Sequence, residues 1–222
     1  MKRTLLTLGL TAVLTTTAAA QWLGEPAWNT PDAGTGFTIY GDYTMPNPDA
    51  GGGKAYSGRL MFGSGTFTLT GGVSSWKSDF ASEHITSFGG AAALRLIGGS
   101  LVPVAVNLQV GGGHSMEITS STSTVSLQTM FLGAVGVSVP LHTSMVSVEP
   151  YVSPGARYRR YLNVAPGAPD HETNFGWVIG ANLGFGPMGF HVAYDSEKFT
   201  DGTTHGVLGL GASIGLHPSP GR

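Results

Sequence analysis

The sequence predicts an all-β chain, an antiparallel up-and-down sheet of about ten strands (eight is the alternative) closed into a barrel. Three observations carry this. Apolar and polar residues alternate with period two over most of 35–216, the spacing of strands with two unlike faces. The alternating runs reach about ten residues, whereas strands of soluble proteins average roughly five or six. Short and long connections alternate along the chain, as turns and loops at opposite ends of a barrel do.

The elements follow in order. Residues 1–20 read as a secretory signal peptide: Lys2 and Arg3, an apolar stretch from Leu5 to Leu14, then Ala18-Ala19-Ala20 as the cleavage site. Residues 21–34 (QWLGEPAWNTPDAG) carry two prolines and no alternation, and are expected as a periplasmic lead-in. The barrel is expected over 35–216, with strands near 35–45, 54–63, 65–76, 85–97, 102–110, 125–139, 146–161, 174–185, 188–195 and 206–216. Residues 217–222 form a C-terminal tail. Tight turns are expected at Gly63-Ser64-Gly65, Gly98-Gly99-Ser100 and Gly186-Pro187, with a somewhat longer one from Pro140 to Met145. The long segments 45–54, 77–84, 111–124, 162–173 and 196–205 are assigned outward.

Composition narrows the class further. Of 222 residues only 11% are charged, 35 are Gly, none is Cys, and the net charge is −2. Without Cys there are no disulfides and no thiolate chemistry. Without basic runs nucleic acid is not an expected partner. After the leader no apolar run approaches the ~18 residues of a membrane helix.

The faces decide how the barrel is used. One face is apolar on nearly every strand, for example Val102, Val104, Val106, Leu108 and Val110. The other is rich in Gly, Ser, Thr, Asn and Gln, with too few charges for a soluble surface, where about 25–35% would be charged. The expectation is therefore a transmembrane β-barrel with its apolar face in lipid and its polar face in the lumen. A soluble lipocalin-like barrel would invert these faces.

The aromatics fit two interface girdles. Phe62, Phe67, Phe185 and Phe190 flank short turns, and Tyr43, Tyr56, Tyr158, Trp177 and Tyr194 sit toward the other strand ends. The lumen face carries Asp42, Arg59, Arg95, Glu149, Arg157, Arg159 and Asp195. By position, Arg59, Arg95 and Glu149 form a periplasmic level, and Asp42, Arg157, Arg159 and Asp195 an external one. Each level mixes signs, so each predicts ion pairs plugging a narrow lumen rather than a selective ring.

Three segments carry a family resemblance. VEPYVSPGARYRRY (148–161), FGWVIGANLGF (175–185) and the pair GFHVAYD (189–195) with VLGLGASIGL (207–216) resemble the last strands of small bacterial outer-membrane β-barrels of the opacity-protein type. The resemblance covers roughly the last third of the chain. It implies an outer-membrane location and delivery by the barrel assembly machinery. Two departures stand out. Pro150 and Pro154 share one strand, which predicts bulges or local loss of pairing. The chain also continues to Arg222, whereas the family often ends in an aromatic.

Chemistry beyond this is sparse. His84, His114, His171 and His205 map to loops or strand tops near acidic residues, but no short ligand spacing supports a metal site. The chain lacks the paired-Asp motif of omptin-like proteases. No catalytic residue, metal or cofactor is assigned, and the chain is not expected to be an enzyme. The expected function is a structural or surface-interaction barrel, probed by a surface ligand at the external loops. A small passive channel is the alternative, followed by a rim or lipid-acting enzyme. The expected environment is outer-membrane lipid, and the expected state a monomer.

Overall fold

The computed structural model describes residues 23–99, 102–116, 118–119, 124–125, 128–143, 145–162, 164, 167 and 169–216. The expected signal peptide (1–20) and C-terminal tail (217–222) lie outside the described residues. Ten long strands form the molecule: β1 Thr35–Pro46, β2 Lys54–Ser64, β3 Phe67–Lys77, β4 Ile85–Ile97, β5 Ala105–Ser115, β6 Gln128–Ser138, β7 Ser147–Tyr161, β8 His171–Phe185, β9 Met188–Lys198 and β10 Thr204–Leu216. Each pairs antiparallel with its neighbour in sequence. Strand β10 returns to β1, with Phe37 opposite Leu216 and Pro46 opposite Val207, so the sheet closes. Closure leaves none of the ten long strands as an edge, so their ladders need no outside partner.

The connections sort to two ends, less regularly than the sequence suggests. Gly65-Thr66 and Gly186-Pro187 are tight. The β4–β5 connection is longer than its glycines imply, because β5 begins only at Ala105 and Val102 and Val104 lie exposed before it. The β6–β7 connection contains Leu141–His142, paired to Ser147 and Val148. These four connections mark a turn end. The other end carries loops that are longer on average, though 199–203 is shorter than the β4–β5 and β6–β7 connections, and includes a short ladder between Ile118–Thr119 and Thr124–Val125. The prolines of β7 produce local loss of pairing and no bulge. Pairing with β8 is continuous, and pairing with β6 is interrupted at Ser153 and Pro154 and resumes in the same register. The register shift that does occur lies between Arg95 and Ile97 in β4.

The faces are inverted relative to a soluble protein. Ile39, Leu60, Leu69, Leu94, Phe175 and Ile179 are exposed on the outer wall. Asp42, Arg59, Asn107, Glu149, Arg157, Asp195 and Glu197 are buried inside. The aromatics pair across strands on the outer wall: Phe37 with Phe62, Tyr43 with Tyr56, Phe131 with Tyr158, Trp177 with Tyr194, and Phe185 with Phe190. Phe67 lies on the same side, half-buried.

The largest departure from expectation concerns the N-terminal segment. Its described part, 23–34, is not beneath the barrel but inside it. Glu25, Ala27, Trp28 and Asn29 are buried, and Pro26 and Pro31 fully so. Leu23 and Gly24 lie at the loop end, against Ser74, Ser87 and Thr44. Asp32 lies at the turn end, against Glu149 and Arg95. The chain therefore runs down the lumen and turns into β1. Thr30-Pro31-Asp32-Ala33 makes that turn, with Ala33 N–H donating to Thr30 O at 3.0 Å. Proline at the second position suits the turn. Ala33, at φ 55°, and Gly34 then lead into Thr35.

Candidate functional site

The lumen is built in three levels, each from strand residues of the buried face plus a residue of the N-terminal strap (23–34). At mid-barrel Arg59 forks onto Asp42. Its Nε donates to Oδ2 at 2.6 Å and its Nη2 to Oδ1 at 2.9 Å. Ser57 Oγ donates to Oδ2 at 2.9 Å, and His191 Nε2 lies 2.5 Å from Oδ1. Two aromatic rings close on the guanidinium, Tyr40 at 4.4 Å and the strap's Trp28 at 4.9 Å. Trp28 also meets His191 edge-on at 4.7 Å.

Glycine makes this geometry. Asp42 on β1 and His191 on β9 are both cross-strand neighbours of Gly211 on the intervening β10. A Cβ there would stand 2.5 Å from both side chains. Gly209 in turn makes room for the strap, since its Cβ would sit 2.8 Å from Pro26 and from Trp28.

At the loop end Arg157 bonds Asp195 at 2.5 Å and Glu197 at 3.3 Å. Arg159 Nε donates to Glu197 Oε1 at 2.8 Å, and Nη2 bonds Oε2 at 2.5 Å. Asn174 Nδ2 also donates to Glu197. Here the spacer is Gly176, which pairs with Glu197, and a Cβ on it would meet Arg157 Cζ at 2.5 Å.

At the turn end Arg95 Nη1 donates to the main-chain oxygen and carboxylate of Asp32, at 2.7 and 3.1 Å. Among the described residues Glu149 pairs with no arginine. It accepts from Asp32 N–H at 2.7 Å, Ser138 Oγ at 2.8 Å and Asn182 Nδ2 at 3.0 Å. Thus all seven charges singled out from sequence line the lumen, but their grouping differs. Arg59 joins Asp42 at mid-barrel, and the turn-end partner of Arg95 is the strap's Asp32.

Sequence reasoning missed Glu197, His191 and Asp32. Glu197 shares the face of Asp195, but β9 was expected to stop at 195 and runs to Lys198. His191 lies on the expected lumen face without having been read as part of a cluster. The strap itself has no period to detect. Its signal is composition: Leu23, Pro26, Ala27 and Trp28 are too apolar for a solvated lead-in.

The strap is held mainly through side chains of the wall. Ala27 N–H donates to Asp195 Oδ2 at 2.8 Å, and Gln109 Nε2 donates to Trp28 O at 2.8 Å. Asn29 bonds Asn107 and Ser153. Trp28 Nε1 donates to Glu25 within the strap at 3.3 Å. Trp28 and Ala27 pack with Leu132, Ala134, Tyr151, Val178 and Ala193.

Cavities flank this plug. One of about 310 Å³ opens at the loop end among Glu25, Trp76, Arg159, Glu197 and His205. One of about 350 Å³ lies at the turn end among Asp32, Tyr40, Glu149, Asn182 and His191. The void beside Trp28 and Asn29 is about 20 Å³, room for roughly one water.

The loop-end histidines stay separate. His84 bonds Ser75, His114 bonds Thr129, His171 bonds Asp170 and His205 stacks on Phe199. Among the described residues no three His, Cys, Asp or Glu side chains gather to hold a metal ion. The carboxyl of Asp170 is held below the ordinary value by its bond from His171, and that of Asp201 by two bonds from Thr203.

Fold and lumen together define the class: a ten-stranded barrel with an apolar exterior and a charged interior filled by its own N-terminal strap. No protein-family model and no curated protein matches the chain. Solved structures do. The N-terminal β-barrel domain of Pseudomonas aeruginosa OprF is 12% identical, with 83% of this chain and 99% of that one covered and a TM-score of 0.38. The outer membrane protease OmpT of Escherichia coli is 8% identical over 87% and 100%, with a TM-score of 0.43. The β domain of the Bordetella autotransporter BrkA is 9% identical over 83% and 100%, with a TM-score of 0.44. At such identities and scores, neither activity nor partners transfer from these proteins to this chain.

Proposed function

We propose that the chain is an outer-membrane β-barrel with a structural or surface-interaction role, its lumen shut by the strap and its longer loops facing outward. One observation carries this: the wall is apolar outside and charged inside. In water, a continuous outer face including Ile39, Leu60, Phe175 and Ile179 would far exceed the few hundred Å² of apolar patch that monomers tolerate. In lipid the same face is favourable, and closure pairs each of the ten strands on both sides. A soluble ligand-binding barrel would place its apolar side inward, and here that side holds Arg59, Arg157 and Glu197.

Lipid is then the main partner, the assembly machinery delivers the chain, and a surface ligand would meet the loops. The strap speaks against a constitutively open channel. No side chain is given a catalytic role.

The test is membrane fractionation followed by electrophoresis with and without boiling. A chain that needs detergent for extraction and migrates faster unboiled supports the reading. A chain that stays in the aqueous fraction with no shift overturns it.

A further inference from the structure

We infer that residues 23–33 of the strap are a releasable plug and that the barrel behind it is a latent passage for small hydrophilic solutes. The inference rests on the membrane reading above and adds an activity to it. Four observations support it.

At mid-barrel and at the loop end the wall completes its charge pairs without the strap. Arg59–Asp42, Arg157–Asp195, Arg157–Glu197 and Arg159–Glu197 all join barrel strands to one another. The strap's ion pairs to the wall both run through Asp32, to Arg95 and, when its ring is protonated, to His142, and all three side chains are partly exposed. Such partly solvated pairs contribute little.

The strap also stands outside the ladder. Residues 25–30 form no strand, and β10 already pairs with β1, so withdrawal breaks no barrel pairing. What it breaks are bonds such as Gln109 to Trp28 O and Asn29 to Asn107, which water can replace.

The surface it would uncover is mainly polar. Ser74, Ser87, Asn107, Gln109, Ser138 and Ser153 are buried polar residues of the wall, beside the smaller apolar patch on which Trp28 packs. Finally, two cavities already stand at either end, separated at mid-barrel where Trp28 and Asn29 leave about 20 Å³. Removing the plug joins them. Because each charged level mixes signs, the passage discriminates weakly between small cations and anions.

The experiment is single-channel recording in planar lipid bilayers with potassium chloride, on three proteins. These are the intact mature chain, a chain lacking 23–33, and Trp28→Ala/Asn29→Ala, which keeps the strap threaded but loosens it. Unboiled electrophoresis first confirms that each is a folded barrel. The intact chain is expected to give no steps, the deletion sustained steps, and the double variant brief ones. A synthetic peptide of sequence 23–33 is expected to abolish the deletion's steps. If the deletion fails to fold, the double variant alone decides. Steady conduction by the intact chain, or silence of every folded variant, overturns the plug. Failure of the intact chain to show the unboiled shift overturns the membrane reading instead.

Discussion

Replacing Arg59 by Met tests the mid-barrel cluster most sharply. Asp42 is fully buried in its side chain and Arg59 6% exposed. The substitution keeps much of the side chain's volume and removes the fork at 2.6 and 2.9 Å. Asp42 is left with Ser57 and His191 in a site built for a guanidinium. Breaking one side of a buried pair costs about 3–5 kcal/mol, chiefly because the other charge is stranded. The lost contacts with Tyr40 and Trp28 add about 0.5–1 kcal/mol each. Arg59→Met/Asp42→Asn should recover most of the loss, since replacing both ions is close to neutral. Denaturant unfolding in detergent micelles, followed by unboiled electrophoretic mobility, measures both. A single variant costing under about 1 kcal/mol, or a double as costly as the two singles summed, would refute a dry, coupled cluster.

Three other outcomes follow from the same geometry. Gly211→Ala should cost about 1–3 kcal/mol, because its Cβ would stand 2.5 Å from Asp42 and His191, whereas Gly41→Ala should stay within about 0.5 kcal/mol, its Cβ meeting nothing; equal effects in a thermal melt would contradict this. Ile179→Lys, mid-strand and 55% exposed on the outer face, should cost about 2–4 kcal/mol in liposomes, and a neutral result would mean that this face meets water. Asp201 is pulled below its ordinary 3.8 by the side-chain and backbone bonds from Thr203. A carboxylate lowered on folding supports the turn at higher pH and releases it as pH falls through the lowered value. The Thr203 amide signal should therefore titrate with a midpoint below 3.8; a midpoint at or above 3.8 in an NMR titration counts against the two bonds.

What period two can reveal, it revealed. Phe37, Ile39 and Tyr43 face out and Asp42 faces in, because alternation assigns a face residue by residue. Alternation does not assign partners. That Asp42 and His191 meet depends on the registers of three strands and on the missing side chain of Gly211 between them. The sequence shows glycines on the polar face, and only the closed sheet shows them to be the spaces into which neighbouring side chains reach. The strap was least legible. An extended segment that bonds through Asn29, Ala27 N–H and Trp28 O to scattered wall residues needs no repeat of its own. Pro26 and Pro31 made it look like a solvated leader. The end of β9 was set three residues short, which hid Glu197, the acid that anchors both Arg157 and Arg159.

The central claim, an outer wall in lipid around a plugged polar interior, is tested most directly by tryptophan quenching with brominated lipids. Two single-tryptophan proteins suffice, with the other three of the four tryptophans changed to Phe. One retains Trp177 on the outer wall and the other Trp28 in the strap. Reconstituted in vesicles, the Trp177 protein should be strongly quenched and the Trp28 protein should keep its emission. Quenching of Trp28, or an unquenched Trp177 that acrylamide reaches from water, would contradict the account.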